Sequence, residues 1–262
     1  MAIDKINTTA WASIASVTGV AKASIANFNG VDAPAASGGD MEISVITQTA
    51  FHYGAWNTST SKSITMPSGA SSGDFCLMVV CSQNGSNTLW GGTPSGWTMA
   101  NAGVHWGSSV SDSDIYIYYR VLDGTEGSTV SVPGATTSTS PQRVIGTTML
   151  ISNVNASPIS ALGSHAVGSS NVTAPTVSST GAGLFLCLCA LDGGDGEPFT
   201  MTNGSFTLTA GWDTDGGRNS GKGVSGGMQY STIGASTATG TTACSGIVGD
   251  GMVAGHIVIA KA

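Results

Sequence analysis

Residues 75–81, Phe-Cys-Leu-Met-Val-Val-Cys, form a continuous apolar run between Asp74 and Ser82. An apolar run of this length, bounded by polar residues, predicts a strand in the core of the protein. A second segment, Ile115–Val121, alternates instead. One predicted face carries Ile115, Ile117, Tyr119 and Val121, and the other carries Tyr116, Tyr118 and Arg120. A third segment, Leu184–Leu191, is again apolar throughout. Further strands are predicted at Ser128–Val132, Val144–Val154, Ser205–Leu208 and His256–Ile259, each bounded by Gly, Asp or Pro.

The composition supports the same fold class. The chain has 38 glycines, and only 9% of its 262 residues are charged, against roughly 25% in soluble domains generally. Straight-chain helix formers such as Glu and Gln are scarce, while Val, Ile, Thr, Ser and Tyr, which favour strands and turns, are abundant. We therefore expect an all-β protein with a jelly-roll-like β-sandwich, preceded by a short N-terminal arm that contains repeats.

The globular part, expected at residues 48–262, repeats itself weakly. Ser63–Pro67 followed by the first apolar run resembles Asn171–Pro175 followed by the third, at an offset of about 108 residues. A Gly-Trp pair follows in each copy, at Gly96-Trp97 and Gly211-Trp212. The two halves, 58–160 and 166–262, could form two small sandwiches or interleave their sheets in one. We favour one sandwich, because no polar linker separates the halves.

The N-terminal arm, residues 1–34, repeats with a period of 11. Ile6–Ser16 aligns with Val17–Asn27, and a partial copy follows at Phe28–Val31. Thr18-Gly19 and Asn29-Gly30 predict tight turns, which favours short stacked turn units, although the apolar spacing also fits an 11-residue coiled-coil repeat. The arm has too few large side chains to form a core alone. We therefore expect it to dock on neighbouring protomers or on another protein. Residues 35–47 are the expected linker. The candidate anchor residues are Ile6, Trp11, Ile14, Val17, Val20, Ile25, Phe28 and Val31.

The charge pattern argues against several partners. The formal net charge is −7, and the eight basic residues are scattered from Lys5 to Lys261, so no basic stripe for nucleic acid forms. The longest apolar run is too short for a transmembrane helix, so no membrane insertion is expected. The segment 5–23 is interrupted by Ser and Thr and does not resemble a signal peptide. We expect the chain to stay in the cytosol where it is made, unless a larger assembly carries it out.

The sequence predicts no metal and no cofactor. Four of the five cysteines lie in apolar runs, which favours buried, reduced thiols. Cys187 and Cys189 share one strand face, too close for a disulfide, and no second ligand pair for zinc is evident. His52, His105, His165 and His256 have no zinc-binding spacing, and we expect His256 to be a hydrogen-bonded core histidine.

Acidic, glycine-rich loops are the remaining polar candidates. Asp192, Asp195 and Glu197, and likewise Asp213 and Asp215, could supply oxygen ligands to Ca²⁺. Neither loop has EF-hand spacing, and Asp with Gly commonly forms turns, so these are weak candidates. No nucleophile elbow and no defined carboxylate pair is present, so we expect no enzymatic activity.

Tryptophans in Gly-, Ser- and Asn-rich surroundings suggest a sugar-binding surface, because exposed indole rings stack on sugars. Trp can also cap the core of a sandwich, and we weigh this structural interpretation as stronger than sugar binding. The glycine-rich segment 193–227 is typical of loops displayed at a surface. The candidate glycan-binding residues are Trp90, Trp97, Trp106 and Trp212, and Trp56 has a similar context.

The chain resembles virion structural proteins of tailed bacteriophages. The N-terminal Ser-Ile and Asn-Gly-Val repeats resemble those that open many such proteins. In the appended β-sandwich domains, Gly73-Asp74 before an apolar run, a Pro-x-Gly-Trp loop (Pro94–Trp97) and a Tyr-Tyr-Arg strand (Tyr118–Arg120) recur in this order. The resemblance implies a virion location, with the N-terminus as the anchor to other capsid or tail proteins.

These observations lead to two functional hypotheses. The first is a non-enzymatic structural protein on the exterior of the phage head or tail, assembled as a homotrimer. The second is an adhesin of tail-fibre type that recognises a glycan on the host surface through the tryptophan loops.

Overall fold

The structure, a computed structural model, describes the backbone in fourteen segments. They are residues 16–17, 20–21, 27–28, 31–32, 41–55, 61–83, 92–101, 106–107, 113–133, 141–169, 171–192, 199–215, 223–246 and 251–262. The chain divides into two compact units, residues 1–39 and 40–262. The described residues form strands and contain no helix. Accordingly, within these segments no helix could serve as a membrane span.

The N-terminal unit contains two short antiparallel pairs at the repeat spacing of 11 residues. Strand β1 (Ser16–Val17) pairs with β2 (Val20–Ala21), and β3 (Asn27–Phe28) pairs with β4 (Val31–Asp32). The predicted turns at Thr18-Gly19 and Asn29-Gly30 lie outside the described residues. Antiparallel ladders on both sides of these residues fit the turn units and not the coiled coil, because helical backbone cannot pair in this way.

The second unit begins with a half of eight strands. They are β5 (Ile43–Ala55), β6 (Lys62–Thr65), β7 (Phe75–Gln83), β8 (Thr98–Met99), β9 (Trp106–Gly107), β10 (Ser113–Val121), β11 (Thr129–Val132) and β12 (Pro141–Ile151). A large sheet has the order β5-β12-β7-β10-β8, with β9 also on β10, and β11 pairs with β6 in a small sheet. β5 therefore begins inside the segment 35–47 that the sequence predicts as linker.

The other eight strands repeat this arrangement. They are β13 (Val154–Gly168), β14 (Asn171–Ala174), β15 (Gly183–Asp192), β16 (Thr200–Asn203), β17 (Thr209–Asp215), β18 (Val224–Ile233), β19 (Thr242–Ser245) and β20 (Gly251–Lys261). The large sheet has the order β13-β20-β15-β18-β17, and the small one has the order β14-β19-β16. Segment 205–208 is not a strand, because Asn203 accepts the backbone N–H groups of Ser205 and Phe206 and turns the chain.

The predicted all-β fold with antiparallel sandwich packing is confirmed. The order of strands in the two large sheets is the same, with β5, β12, β7, β10 and β8 corresponding to β13, β20, β15, β18 and β17. Each sheet draws its strands from one half, so the sheets do not interleave as we favoured from the sequence. Along the chain, the boundary between the two halves is the short connection between β12 and β13. The second half therefore starts with β13, before residue 166, where the sequence predicts its start.

The inner faces of the two large sheets share one apolar core. Leu77 and Val79 of β7 and Ile117 of β10 pack there with Leu186 and Leu188 of β15, all of them 0% exposed. Full burial of each such side chain stabilises the fold by about 1.5–3 kcal/mol. The two halves therefore depend on each other for the burial of their largest apolar faces.

The outer face of each large sheet is covered by the small sheet of the same half. In the first half Ile64 of β6 and Val132 of β11 cover Tyr116 and Tyr118 of β10. In the second half Val172, Met201 and Cys244 of the small sheet cover Cys187 and Cys189. The alternation predicted for Ile115–Val121 is thus correct, since Ile115 and Ile117 face one core and the two tyrosines the other. Both faces are buried because a second sheet lies on each.

Two adjacent glycines of β18 explain how large rings fit into this packing. A Cβ atom on Gly226 would lie 2.5 Å from Trp212 Cη2, and one on Gly227 would lie 2.6 Å from Phe199 Cδ2. Both glycines are buried in a strand. The prediction that the glycine-rich segment up to residue 227 is a displayed loop is therefore wrong for these two positions.

Candidate functional site

The candidate anchor residues are only partly within the described chain. Val17 pairs with Val20, and Phe28 pairs with Val31, so four of them occupy the equivalent ladder positions of two hairpins. The remaining candidates, Ile6, Trp11, Ile14 and Ile25, lie outside the described residues.

The structure places two of the candidate glycan-binding tryptophans in the core. Trp97 is 8% exposed and packs beneath the first small sheet, and Trp212 is 4% exposed between the large sheets. Stacking on a sugar needs an exposed ring face, so the burial of these two indoles argues against sugar binding and agrees with the interpretation that we weigh as stronger, a tryptophan that caps the core. Trp106 lies in β9, with its backbone paired to Ile115. Trp56 and Trp90 lie outside the described residues.

The acidic candidates for Ca²⁺ lie in different environments. Asp192 ends β15 and is 8% exposed, whereas Asp195 and Glu197 lie outside the described residues. Asp213 of β17 accepts the backbone N–H of Phe199 at 3.0 Å. Partial burial raises the pKa of Asp213 above its ordinary value. Its contact with the backbone therefore gives Asp213 a structural role where β17 adjoins the start of β16.

A hollow of about 420 Å³ lies beside the last strand, between the start of β13 and the connection that leads into β15. Its lining includes Asn155, Ser157, Thr180 and Lys261 and contains no aromatic side chain. Ile159 and alanines also contribute to the lining, so the hollow is mixed in polarity and is not the tryptophan-lined surface that the sequence suggested.

Three of the motifs quoted from the sequence, the Gly-Asp pair, the Pro-x-Gly-Trp loop and the Tyr-Tyr-Arg strand, meet at the end of β10. Arg120 Nη2 lies 2.6 Å from Asp123 Oδ2 and 3.0 Å from Glu126 Oε1. The carboxylate of Glu126 also accepts the backbone N–H groups of Asp123 and Gly124, both at 2.9 Å. This network fixes the loop that follows the Tyr-Tyr-Arg strand.

The electrostatics of this loop agree with its hydrogen bonds. The hydroxyl and N–H of Thr125 lower the pKa of the Asp123 carboxyl, and the Arg120 guanidinium adds to this effect. Burial acts to raise the pKa of Glu126, but its backbone N–H donors and the charge of Arg120 together hold it below the ordinary value. Both carboxyls are therefore ionised partners of Arg120 near neutral pH.

The other two motifs adjoin the same loop. Gly73 N–H donates to the carbonyl of Leu122, and Leu122 N–H donates to the carbonyl of Asp74, both at 2.8 Å. In the Pro-x-Gly-Trp loop, Gly96 has φ +77°, and a Cβ atom there would lie 2.9 Å from Arg120 Nη1. The Gly-Asp pair and the Pro-x-Gly-Trp loop thus contact the end of β10 and the loop after it, which gives these motifs a role in packing.

We expect Gly96→Ala to lower the free energy of unfolding by about 1–3 kcal/mol, because alanine at positive φ is strained and its Cβ displaces Arg120. Gly69→Ala is the matched control, since Gly69 has φ +80° with nothing within 4 Å of its Cβ position. Chemical denaturation of both variants measures the difference. Equal losses of stability would show that Arg120 does not restrict position 96.

A buried cluster of three thiols lies in the second half, between β15 and the small sheet. Cys187 and Cys189 point outward from β15, and Cys244 of β19 faces them. The three Sγ atoms all lie within 4.8 Å of one another, with Cys187 and Cys244 3.6 Å apart. All five cysteines are buried and free, as the sequence predicts. Sequence reasoning did not connect Cys244 to the pair, because only the pairing of sheets brings it there.

His256 of β20 lies beside this cluster, opposite Cys187 in the ladder between β20 and β15. Its Nδ1 is 3.0 Å from Thr239 Oγ1 and its Nε2 is 2.8 Å from Thr242 Oγ1. Burial lowers the pKa of His256 to about 4. The imidazole is therefore neutral and hydrogen-bonded, in agreement with the predicted core histidine.

The thiols differ in their environments. Burial raises the pKa of Cys189, whereas hydrogen bonds from Cys187 and Cys189 to its sulfur lower the pKa of Cys244. Cys244 Sγ also lies 3.7 Å from the carbonyl oxygen of Thr242, to which its S–H can donate. Three sulfurs of this kind are a set of soft ligands.

Comparison of the chain with protein-family models, curated proteins and solved structures gave no match. The description of the chain as an all-β protein with several antiparallel sheets therefore rests on its own structure.

Proposed function

We propose that this chain is a non-enzymatic structural protein of a tailed-phage virion, displayed on the exterior of the head or tail and anchored through residues 1–34. The observation that carries the proposal is the two short antiparallel strand pairs at the 11-residue spacing, in a unit distinct from residues 40–262. A repeated unit with little apolar volume needs a partner to bury it. Other virion proteins, and neighbouring protomers of a homotrimer, are the partners that we propose.

The second unit supports a scaffold role. Its cores are filled by apolar side chains, and the motifs that resemble phage proteins serve the Arg120 loop and the packing around it. With 9% charged residues and a net charge of −7, its surface chemistry is that of hydroxyl groups and backbone amides. A rigid, weakly charged body suits display in many copies.

Deleting residues 1–34 should prevent incorporation into particles while leaving the second unit folded. Incorporation is measured as the amount of the chain in purified particles, and folding by thermal unfolding of the purified protein. The matched control carries an arm of the same composition in shuffled order, which should fail like the deletion. Normal incorporation of the deleted chain would contradict the proposed anchor.

The position on the particle separates a decoration protein from an adhesin. In electron cryo-microscopy of whole particles, density at capsid lattice positions would favour decoration. Density at the tail tip or in fibres would instead favour recognition of host glycan, and Trp90 and Trp106 would then be the residues to replace. Trp97 and Trp212 are unsuitable for that test, because their replacement would disturb the cores in which they are buried.

A further inference from the structure

The thiol cluster combines three features that buried cysteines seldom share. Its sulfurs come from two different sheets, they converge within 4.8 Å, and Cys187, Cys189 and Cys244 are only 0%, 0% and 2% exposed. Cys76 and Cys81 of the first half, by contrast, lie in two different cores, and Cys81 is in the core that both halves share. The cluster therefore supplies three sulfur ligands in one place, whereas each of the other two cysteines is a single apolar side chain of a core.

We propose that Cys187, Cys189 and Cys244 bind one Cu⁺ ion in a sulfur-only site. Thiolate sulfur selects soft ions such as Cu⁺ over the hard ions that prefer oxygen. The small sheet closes over the sulfurs and excludes water, which protects a monovalent copper ion from oxidation and from competing ligands.

The number of ligands favours Cu⁺ over Zn²⁺. A structural zinc site is almost always tetrahedral with four protein ligands, and the group of closely spaced ligand atoms found among the described residues has three members. His256 lies opposite Cys187 and could be a further donor, but both of its ring nitrogens are hydrogen-bonded to threonine hydroxyls. Two or three sulfurs suffice for Cu⁺.

Charge and proton balance are satisfied with two thiolates. Two S–H bonds break, two Cu–S bonds form and two protons leave to solvent, so the site carries a net charge of −1. The third cysteine keeps its proton, and a thiolate sulfur lies within reach of its S–H, since Cys187 Sγ and Cys244 Sγ are 3.6 Å apart. Because protons are released, binding weakens as the pH falls.

The test uses the full chain, refolded anaerobically with Cu⁺ and a non-thiol reductant so that the ion can enter before the site closes. After dialysis against a Cu⁺ chelator, we expect about one copper per chain, and X-ray absorption should show sulfur neighbours. The double variant Cys187→Ser/Cys244→Ser leaves one sulfur and should lose the copper, while the matched double variant Cys76→Ser/Cys81→Ser, also at buried cysteines, should retain it. Zn²⁺ in place of Cu⁺ should not be retained.

Several outcomes would overturn the proposal. They are no copper in the wild-type chain, equal copper in Cys187→Ser/Cys244→Ser, nitrogen or oxygen ligands in the absorption spectrum, or retention of Zn²⁺ at the level of Cu⁺. If Cys187→Ser/Cys244→Ser does not fold, the copper content and the absorption spectrum of the wild-type chain decide alone. The site does not depend on the proposed virion role, so loss of anchoring and loss of copper are separate results.

Discussion

Replacing Leu186 with alanine should lower the free energy of unfolding by about 2–5 kcal/mol. Leu186 is 0% exposed and lies on β15, the central strand of the second large sheet. Its side chain belongs to the core that the two large sheets share, where Leu77 and Ile117 come from the first half. The cavity left by alanine therefore weakens both halves.

Denaturant titration measures this loss, and hydrogen exchange resolved by peptide shows where it occurs. Protection should fall in both large sheets, in strands β7 and β10 as well as in β15. Val121→Ala is the control, because Val121 is 59% exposed and its truncation should change stability little. Loss of protection confined to residues 154–261 would show that the halves are independent.

Gly226→Ala should cost about 1–3 kcal/mol, because a Cβ atom at this position collides with the Trp212 ring at 2.5 Å and with Cys81 Sγ at 2.9 Å. Trp212 belongs to the second half and Cys81 to the first, and both are buried. The substitution therefore strains the contact between the two large sheets. Thermal or chemical unfolding measures the cost.

Gly204→Ala is the matched glycine control, since nothing lies within 4 Å of a Cβ at that position. It should change stability by no more than about 0.5 kcal/mol. If the two variants are equally stable, the Trp212 ring can move aside, and Gly226 is not required for the packing between the sheets.

The sequence was sufficient for the strands with the strongest patterns. The apolar runs at 75–81 and 184–191 became the central strands β7 and β15, and the alternation at 115–121 became β10 with its two faces in different cores. These patterns can be recognised within a few consecutive residues, because the burial of each side chain of a strand determines whether that position is apolar or polar. The repeat of the two halves was also visible, as paired motifs at one offset.

Contacts between strands that are distant in the sequence could not be predicted. The context of Trp212 after Gly211 left two interpretations open, sugar binding and a cap on the core, and its ring is buried against Gly226 of the neighbouring strand. Likewise, Cys244 meets Cys187 only because β19 lies over β15. In both cases the decisive partner lies in another strand, and no local pattern encodes the distance between them.

The strand order also constrains how the chain can fold during synthesis. In each half the first strand pairs with the last, β5 with β12 and β13 with β20. The ribosome must therefore complete almost a whole half before its large sheet can close, and contacts of such long range form slowly. Even then, the inner face of the first half, with Leu77 and Ile117, has no cover until β15 emerges. The nascent chain thus exposes an apolar sheet for the time needed to translate its second half, a period in which it is open to chaperones and to aggregation.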